Sequence, residues 1–155
     1  MSYDIEVREV DPQLMVSIRT TCQAAEIAAV LQEILPEVYK FLERLGVKPS
    51  GPPFTRFHGF DQNRVDLESG LPVSESVEGK GRIEPGELPG GTVVTTMHVG
   101  PYEKLPEAHD ALHVWMRKKN KTPSGPQWEY YWTDPGEEPD PSKRRTELIW
   151  PIREA

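Results

Sequence analysis

The residues predict a mixed fold of strands and helices in which one order of elements occurs twice. Three observations carry this. The tetrapeptide Pro49-Ser50-Gly51-Pro52 returns as Pro123-Ser124-Gly125-Pro126, 74 residues later in a chain of 155. Each copy follows a stretch of helical spacing and precedes an aromatic run of strand character, Phe54-Thr55-Arg56-Phe57-His58 and Trp128-Glu129-Tyr130-Tyr131-Trp132. Each half then closes on a strand that meets a proline, Leu71-Pro72-Val73 and Trp150-Pro151-Ile152. The repeat covers about 3–77 and 90–153 of a single domain. Duplicated units usually pack about a pseudo-twofold axis, and their seam is a natural cleft.

In chain order, Tyr3 to Val10 alternates apolar and charged residues, which is a half-buried strand. Asp11-Pro12 is a turn, and Leu14 to Ile18 is a second strand that completes an early hairpin. From Ala24 to Leu45, apolar residues at Ile27, Leu31, Leu35, Val38, Leu42 and Leu45 mark one face of a helix that Gly46 stops. Pro36 lies inside it and predicts a bend or a break. Pro53 to Phe60 and Arg64 to Val73 are strands about the turn Asp61-Gln62-Asn63. The Gly/Pro-rich stretch from Glu78 to Gly91 reads as the join between halves.

The β-branched run Thr92 to Val99 opens the second half as a strand. Gly100-Pro101 ends it and starts a helix with the stripe Leu105, Ala108, Leu112, Trp115 and Met116, which Asn120 terminates. Trp128 to Thr133 is a strand, Asp134 to Ser142 a polar loop, and Lys143 to Ile152 the last strand.

Composition excludes several classes of function. A formal net charge of −7, spread along the chain, argues against a surface that tracks phosphates, so no nucleic-acid partner is expected. The single cysteine, Cys22, permits neither an intramolecular disulfide nor a cysteine cluster for zinc. There is no apolar run of membrane-spanning length and no signal-peptide pattern, so a cytoplasmic protein with no membrane partner is expected. His109 and His113 have the i, i+4 spacing that can seat a metal. No glutamate follows His109 in the HExxH manner and no further ligand is evident, so neither a metal nor another cofactor is expected. Phosphate-loop, dinucleotide and nucleophile-elbow motifs are missing.

Glu129 stands out because the first copy has Thr55 in its place. On its strand, Glu129, Tyr131 and Thr133 share one face, and Trp128, Tyr130 and Trp132 the other. A carboxylate among aromatic rings can attract a cationic ligand together with the rings, or act as a general base or acid. It can equally be a strand glutamate paired with Arg or Lys. Aromatic walls with one or two polar groups are the usual lining of small-molecule pockets.

Taken together, Gly90-Gly91-Thr92, the run His98-Val99-Gly100-Pro101-Tyr102-Glu103-Lys104-Leu105, then Ala108, Leu112 and Trp115, Trp128 to Pro135, and Thr146 to Ile152 resemble the GyrI-like small-molecule-binding family, the AraC-type effector-binding domain. The resemblance covers essentially the whole chain. It implies an α+β fold of two pseudo-symmetric halves, each a curved antiparallel sheet with one main helix, around a central ligand groove. In related multidrug-response regulators the groove takes hydrophobic, often cationic compounds, and a buried glutamate meets the charge; by motif position that glutamate is Glu129. The chain lacks a helix-turn-helix segment and a basic recognition surface, which puts direct transcription control in doubt and points to a stand-alone member.

Three functions are compatible with these features. The first is a binding protein for hydrophobic aromatic small molecules, cationic ones included, acting in drug or toxin sensing or sequestration. Glu129 is then the charge partner, with Tyr131, Trp132, Phe57 and Tyr102 as walls. The second, implied by stand-alone relatives that open cyclopropane-bearing DNA-alkylating natural products, is a detoxifying hydrolase. There Glu129 is the general base and Tyr131 and Trp132 are its aromatic partners. The third is a gyrase-inhibitor-like module that binds a protein partner.

Overall fold

The computed structural model describes residues 3–133 and 139–155, so positions 134–138 of the expected polar loop lie outside the described residues. The fold is α+β and its strand pairings are antiparallel. In chain order the elements are β1 (Ile5–Val10), β2 (Gln13–Gln23), α1 (Ile27–Leu45), β3 (Phe54–Asp61), β4 (Arg64–Pro72), β5 (Ile83–Leu88), β6 (Gly91–Val99), α2 (Leu105–Lys118), β7 (Lys121–Pro123), β8 (Gln127–Tyr131) and β9 (Arg145–Glu154). They form two compact units: a middle unit, Asp11–Gly90, and a terminal unit, Met1–Val10 with Gly91–Ala155. Among the described residues no helix is long and apolar enough to cross a membrane.

The middle unit orders its strands β3-β4-β2-β5. Side chains alternate along each strand, so one face of the sheet collects Val16, Ile18, Leu67 and Leu71, and α1 covers it with Ile34, Val38, Phe41 and Leu42. Burying each such side chain is worth about 1.5–3 kcal/mol. The terminal unit orders its strands β1-β6-β9-β8, with β7 on the end of β9. There Val94, Leu148 and Ile152 meet Ala108, Leu112 and Met116 of α2, with Leu105, Trp115 and Trp150 packed beside them. The helical stripe expected of α2 is the one observed.

The two units share their registers. Thr55 lies opposite Ser69 and Glu129 opposite Leu148. Met15 lies opposite Pro72 and Val93 opposite Pro151. The Ser50 amide donates to the Pro72 carbonyl at 2.9 Å, and the Ser124 amide to the Pro151 carbonyl, also at 2.9 Å. Each PSGP segment thus ties its incoming strand to a proline of the neighbouring one. The buried helix positions Ile34, Val38 and Leu42 recur 74 residues on as Ala108, Leu112 and Met116. Thr55 and Glu129 therefore occupy equivalent places.

A second equivalence lies on the sheet face away from the helices. Glu68 accepts hydrogen bonds from Ser17 Oγ at 2.7 Å and from the His58 ring at 2.7 Å, with Arg56 at 3.9 Å. Glu147, 79 residues on, accepts from Thr95 Oγ1 at 3.1 Å and from Trp132 Nε1 at 2.9 Å, and pairs with Arg8. Each unit thus carries one satisfied carboxylate on the strand that also holds its clamped proline, β4 or β9, held by a hydroxyl of one neighbour and a ring N–H of the other.

Several expectations are corrected. The early hairpin does not form: β1 pairs with β6 in the terminal unit, while β2 lies between β4 and β5. Adjacency in sequence misleads here because each unit takes its fourth strand from the segment preceding the other unit's core. The stretch read as a join contains β5. Pro85 and Gly86 are tolerated there because β5 is the last strand beyond β2, and the amide that proline lacks is not needed on an outer edge. Helix α1 runs through Pro36 without a break, since Pro36 is exposed and the buried stripe Ile34-Val38-Phe41-Leu42 holds both turns around it. That stripe also replaces the expected one at its end, where Leu45 is exposed.

The entry to α2 positions the site. His98 is buried in β6. Its Nε2 donates to the Pro101 carbonyl at 3.0 Å, and its Nδ1 accepts from Tyr3 Oη at 3.1 Å. Gly100, at φ 138°, makes the turn between them.

The closest strand approach gives a direct test. A Cβ at Gly70 would lie 1.9 Å from the Val16 carbonyl oxygen and 2.7 Å from Ser17 Cα. Gly70→Ala is expected to cost about 3 kcal/mol or more in urea unfolding, at the upper end of overpacking costs. A loss below about 1 kcal/mol contradicts this close approach.

Candidate functional site

Alternation along β8 turns Glu129 and Tyr131 to the face covered by α2, and Trp128 and Tyr130 to the other. Glu129 is 5% exposed. Both carboxylate oxygens accept hydrogen bonds: Tyr131 Oη donates to Oε2 at 3.0 Å, and His109 Nε2 lies 3.2 Å from Oε1. His109 projects from the second turn of α2, and its other nitrogen, Nδ1, accepts from Trp150 Nε1 at 3.2 Å. Trp150 lies on β9, two residues beyond Leu148, the cross-strand partner of Glu129, and so on the same face. One polar path therefore runs Tyr131–Glu129–His109–Trp150 between the sheet and α2.

Aromatic rings line both ends of this path. Tyr102 meets Tyr131 edge-on at 6.2 Å between centroids, and the Arg144 guanidinium sits 5.2 Å from the Tyr102 ring centre. At the far end His113 packs edge-on against Trp150 at 4.8 Å, and His109 does so at 6.1 Å. Burial, followed by the neighbouring His109 ring, pulls His113 below the usual histidine range. The i, i+4 histidine pair is thus engaged with Trp150 and Glu129. Among the described residues no three His, Cys, Asp or Glu side chains come together as they would around a metal.

The structure brings together three of the five residues singled out in the sequence, Glu129, Tyr131 and Tyr102. Trp132 follows β8 on the opposite face, where its ring N–H donates to Glu147 and its ring tilts against Tyr130. Phe57 belongs to the middle unit, where it stacks on Phe60 at 6.0 Å and packs against the core. Residue-by-residue reading misses Trp150 and meets His109 only as half of the i, i+4 pair weighed for a metal. Counting between the copies finds them: at the places of His109, Glu129, Tyr131 and Trp150 the middle unit has Leu35, Thr55, Phe57 and Leu71. At every one of the four positions the terminal unit carries the more polar side chain.

The comparisons with known proteins agree with this architecture. The family model described as the GyrI-like small molecule binding domain matches residues 3–153. No curated protein matches the sequence. Among solved structures, the crystal structure of the EcmrR C-terminal domain superposes with a TM-score of 0.87 at 21% identity, covering 100% of both chains. In the EcmrR–DNA complex the same likeness covers 99% of this chain but 58% of that one, at a TM-score of 0.88 and 21% identity. SAV2435 bound to tetraphenylphosphonium superposes with a TM-score of 0.69 at 13% identity, over 99% of this chain and 94% of that one. A hydrolase from Listeria innocua does so with a TM-score of 0.70 at 16% identity, over 96% and 91%. At these identities the likenesses establish the fold alone. The family match over nearly the whole chain establishes more: this protein belongs to the GyrI-like small-molecule-binding domain family.

Proposed function

We propose that this domain binds hydrophobic aromatic small molecules carrying a positive charge, with Glu129 as the charge partner and Tyr131 and Tyr102 as aromatic neighbours. One observation carries the reading. Glu129 is buried, and among the described residues no lysine or arginine lies within ion-pair distance of it. A buried carboxylate is costly unless it is paired, and hydrogen bonds offset only part of that cost. A ligand cation supplies the missing charge, and aromatic faces nearby add to its attraction. The contrast with Glu68 and Glu147 supports this, since both of those have an arginine within ion-pair distance. That SAV2435, a protein of the same fold, has been seen with tetraphenylphosphonium makes this lipophilic cation the natural probe. Such a role in sensing or sequestration is that of a cytoplasmic protein.

Titration with tetraphenylphosphonium, followed by tryptophan fluorescence, is expected to show saturable binding. Glu129→Gln keeps the shape of the side chain and removes its charge. It should weaken binding about tenfold to a hundredfold, as losing a charge-assisted contact of about 1.5–3 kcal/mol does. An unchanged affinity removes Glu129 from the binding role. The uncharged triphenylphosphine oxide should be almost indifferent to the same substitution. Trp132→Phe should leave tetraphenylphosphonium affinity as it is, because its ring serves Glu147 on the other face.

Binding and hydrolysis separate on stoichiometry. With a cyclopropane-bearing alkylator in large excess, the binding reading predicts that product, measured by mass, stays at or below one equivalent of protein. Many turnovers that vanish in Glu129→Gln would instead make the domain a hydrolase with Glu129 as general base.

A further inference from the structure

Trp150 has an indole N–H that can only donate, and this settles the state of the histidine beside Glu129. The N–H points at His109 Nδ1 at 3.2 Å, so Nδ1 must present its lone pair. The ring proton is then on Nε2, which lies 3.2 Å from Glu129 Oε1 and donates to it. A second proton on Nδ1 would confront the indole N–H donor to donor and break that bond. Trp150 also packs edge-on against the ring at 6.1 Å between centroids, and the His109 side chain is left 19% exposed.

We infer that Trp150 is a specificity-determining residue: it locks His109 in the neutral Nε2–H form, so that Glu129 is oriented by hydrogen bonds but not neutralised, and its charge is left for a cationic ligand. Without the lock, histidine is the residue most easily converted to a cation near neutral pH, and an imidazolium beside Glu129 would act as an internal counter-ion. The other groups near the ring do not replace Trp150 in this. Tyr131 on β8 bonds the second carboxylate oxygen, and on α2 itself His113 and Asp110 lie one turn and one residue away. The fold does not need the Trp150–His109 bond, because Leu71 and Leu35 fill the equivalent places in the middle unit with no polar atom.

This inference rests on Glu129 being the ligand's charge partner, and its test keeps the two apart. Long-range 1H–15N spectra of histidine-labelled protein near neutral pH should give His109 one protonated nitrogen, Nε2, and one bare nitrogen, Nδ1. The opposite tautomer, or a doubly protonated ring, overturns the lock whether or not any ligand binds. In Trp150→Phe the two nitrogen signals should converge towards the imidazolium pattern. The ratio of tetraphenylphosphonium to triphenylphosphine oxide affinity should then fall about tenfold, the scale of one added charge near the site. His109→Gln can donate to Glu129 but cannot become charged. In the Trp150→Phe background it should restore the cation preference that Trp150→Phe alone loses. A ratio that does not fall in Trp150→Phe, or that His109→Gln does not restore there, also overturns the inference. Should Trp150→Phe fail to fold, the wild-type spectrum still decides. A protein that shows the lock but binds neither probe refutes the proposed function and not the tautomer.

Discussion

Everything at the site depends on the register of β9 between β6 and β8. Strand side chains alternate with a period of two, so a slip of one residue would turn Trp150 and Leu148 away from α2 and bring Ile149 and Glu147 beneath it. The polar path would then lose its tryptophan, and a second carboxylate would be forced into the helix-covered layer. Two devices pin the register. The Ser124 amide clamps the Pro151 carbonyl, and the outward face is committed to the Glu147 network through Thr95, Trp132 and Arg8. That network has no part in the proposed chemistry, yet it keeps Glu129 on the correct side of the sheet.

The middle unit acts as a natural control for the terminal one. What both units share is what the fold requires: the serine–proline clamp, the buried helix stripe and a satisfied carboxylate facing away from the helix. What they do not share is the set His109, Glu129, Tyr131 and Trp150, against Leu35, Thr55, Phe57 and Leu71. Thr55 shows how the architecture meets its own polar needs at that place. Its hydroxyl bonds Ser69 Oγ at 3.1 Å, and Ser69 in turn donates to the Phe54 carbonyl at 2.8 Å, so the pair is closed within two strands. Glu129 is too long and too charged for such a closure, and it reaches out to the helix instead. Local departures from what a fold needs tend to mark function.

Much of the fold was legible in the sequence because its signals are periodic or repeated. The PSGP echo, the stripe Leu105-Ala108-Leu112-Met116 and the run Thr92 to Val99 each translate into one element. The failures have a common cause, which is that edge strands are defined by what they pair with rather than by their own composition. Nothing in Ile83-Glu84-Pro85-Gly86-Glu87-Leu88 announces a strand until β2 is there to receive it, and nothing in β1 reveals that its partner lies some ninety residues on. Half of the site was legible for the same reason. Glu129 and Tyr131 announce themselves by local alternation, and the same alternation already separated Trp132 from them. His109 and Trp150 lie on other elements, so local alternation cannot set them beside Glu129; that takes α2 and β9 laid over the same face.

The chemistry of the donors around Glu129 explains why a binding site would be built this way. An arginine in place of His109 would hold the carboxylate at least as well, but it would carry the charge a ligand is meant to bring and could be displaced only at a large desolvation cost. Tyrosine on Oε2 and, in the tautomer inferred above, a neutral histidine on Oε1 each satisfy one lone pair and orient the group without cancelling its field. The domain's net charge of −7 favours cations in general, but over distances that salt screens within about 8–10 Å. On the proposed reading, discrimination comes from a charge that is buried, oriented and not matched by a lysine or arginine. Of the three strand glutamates described above, Glu68 and Glu147 each have an arginine within ion-pair distance, whereas the oxygens of Glu129 are met by Tyr131 and His109.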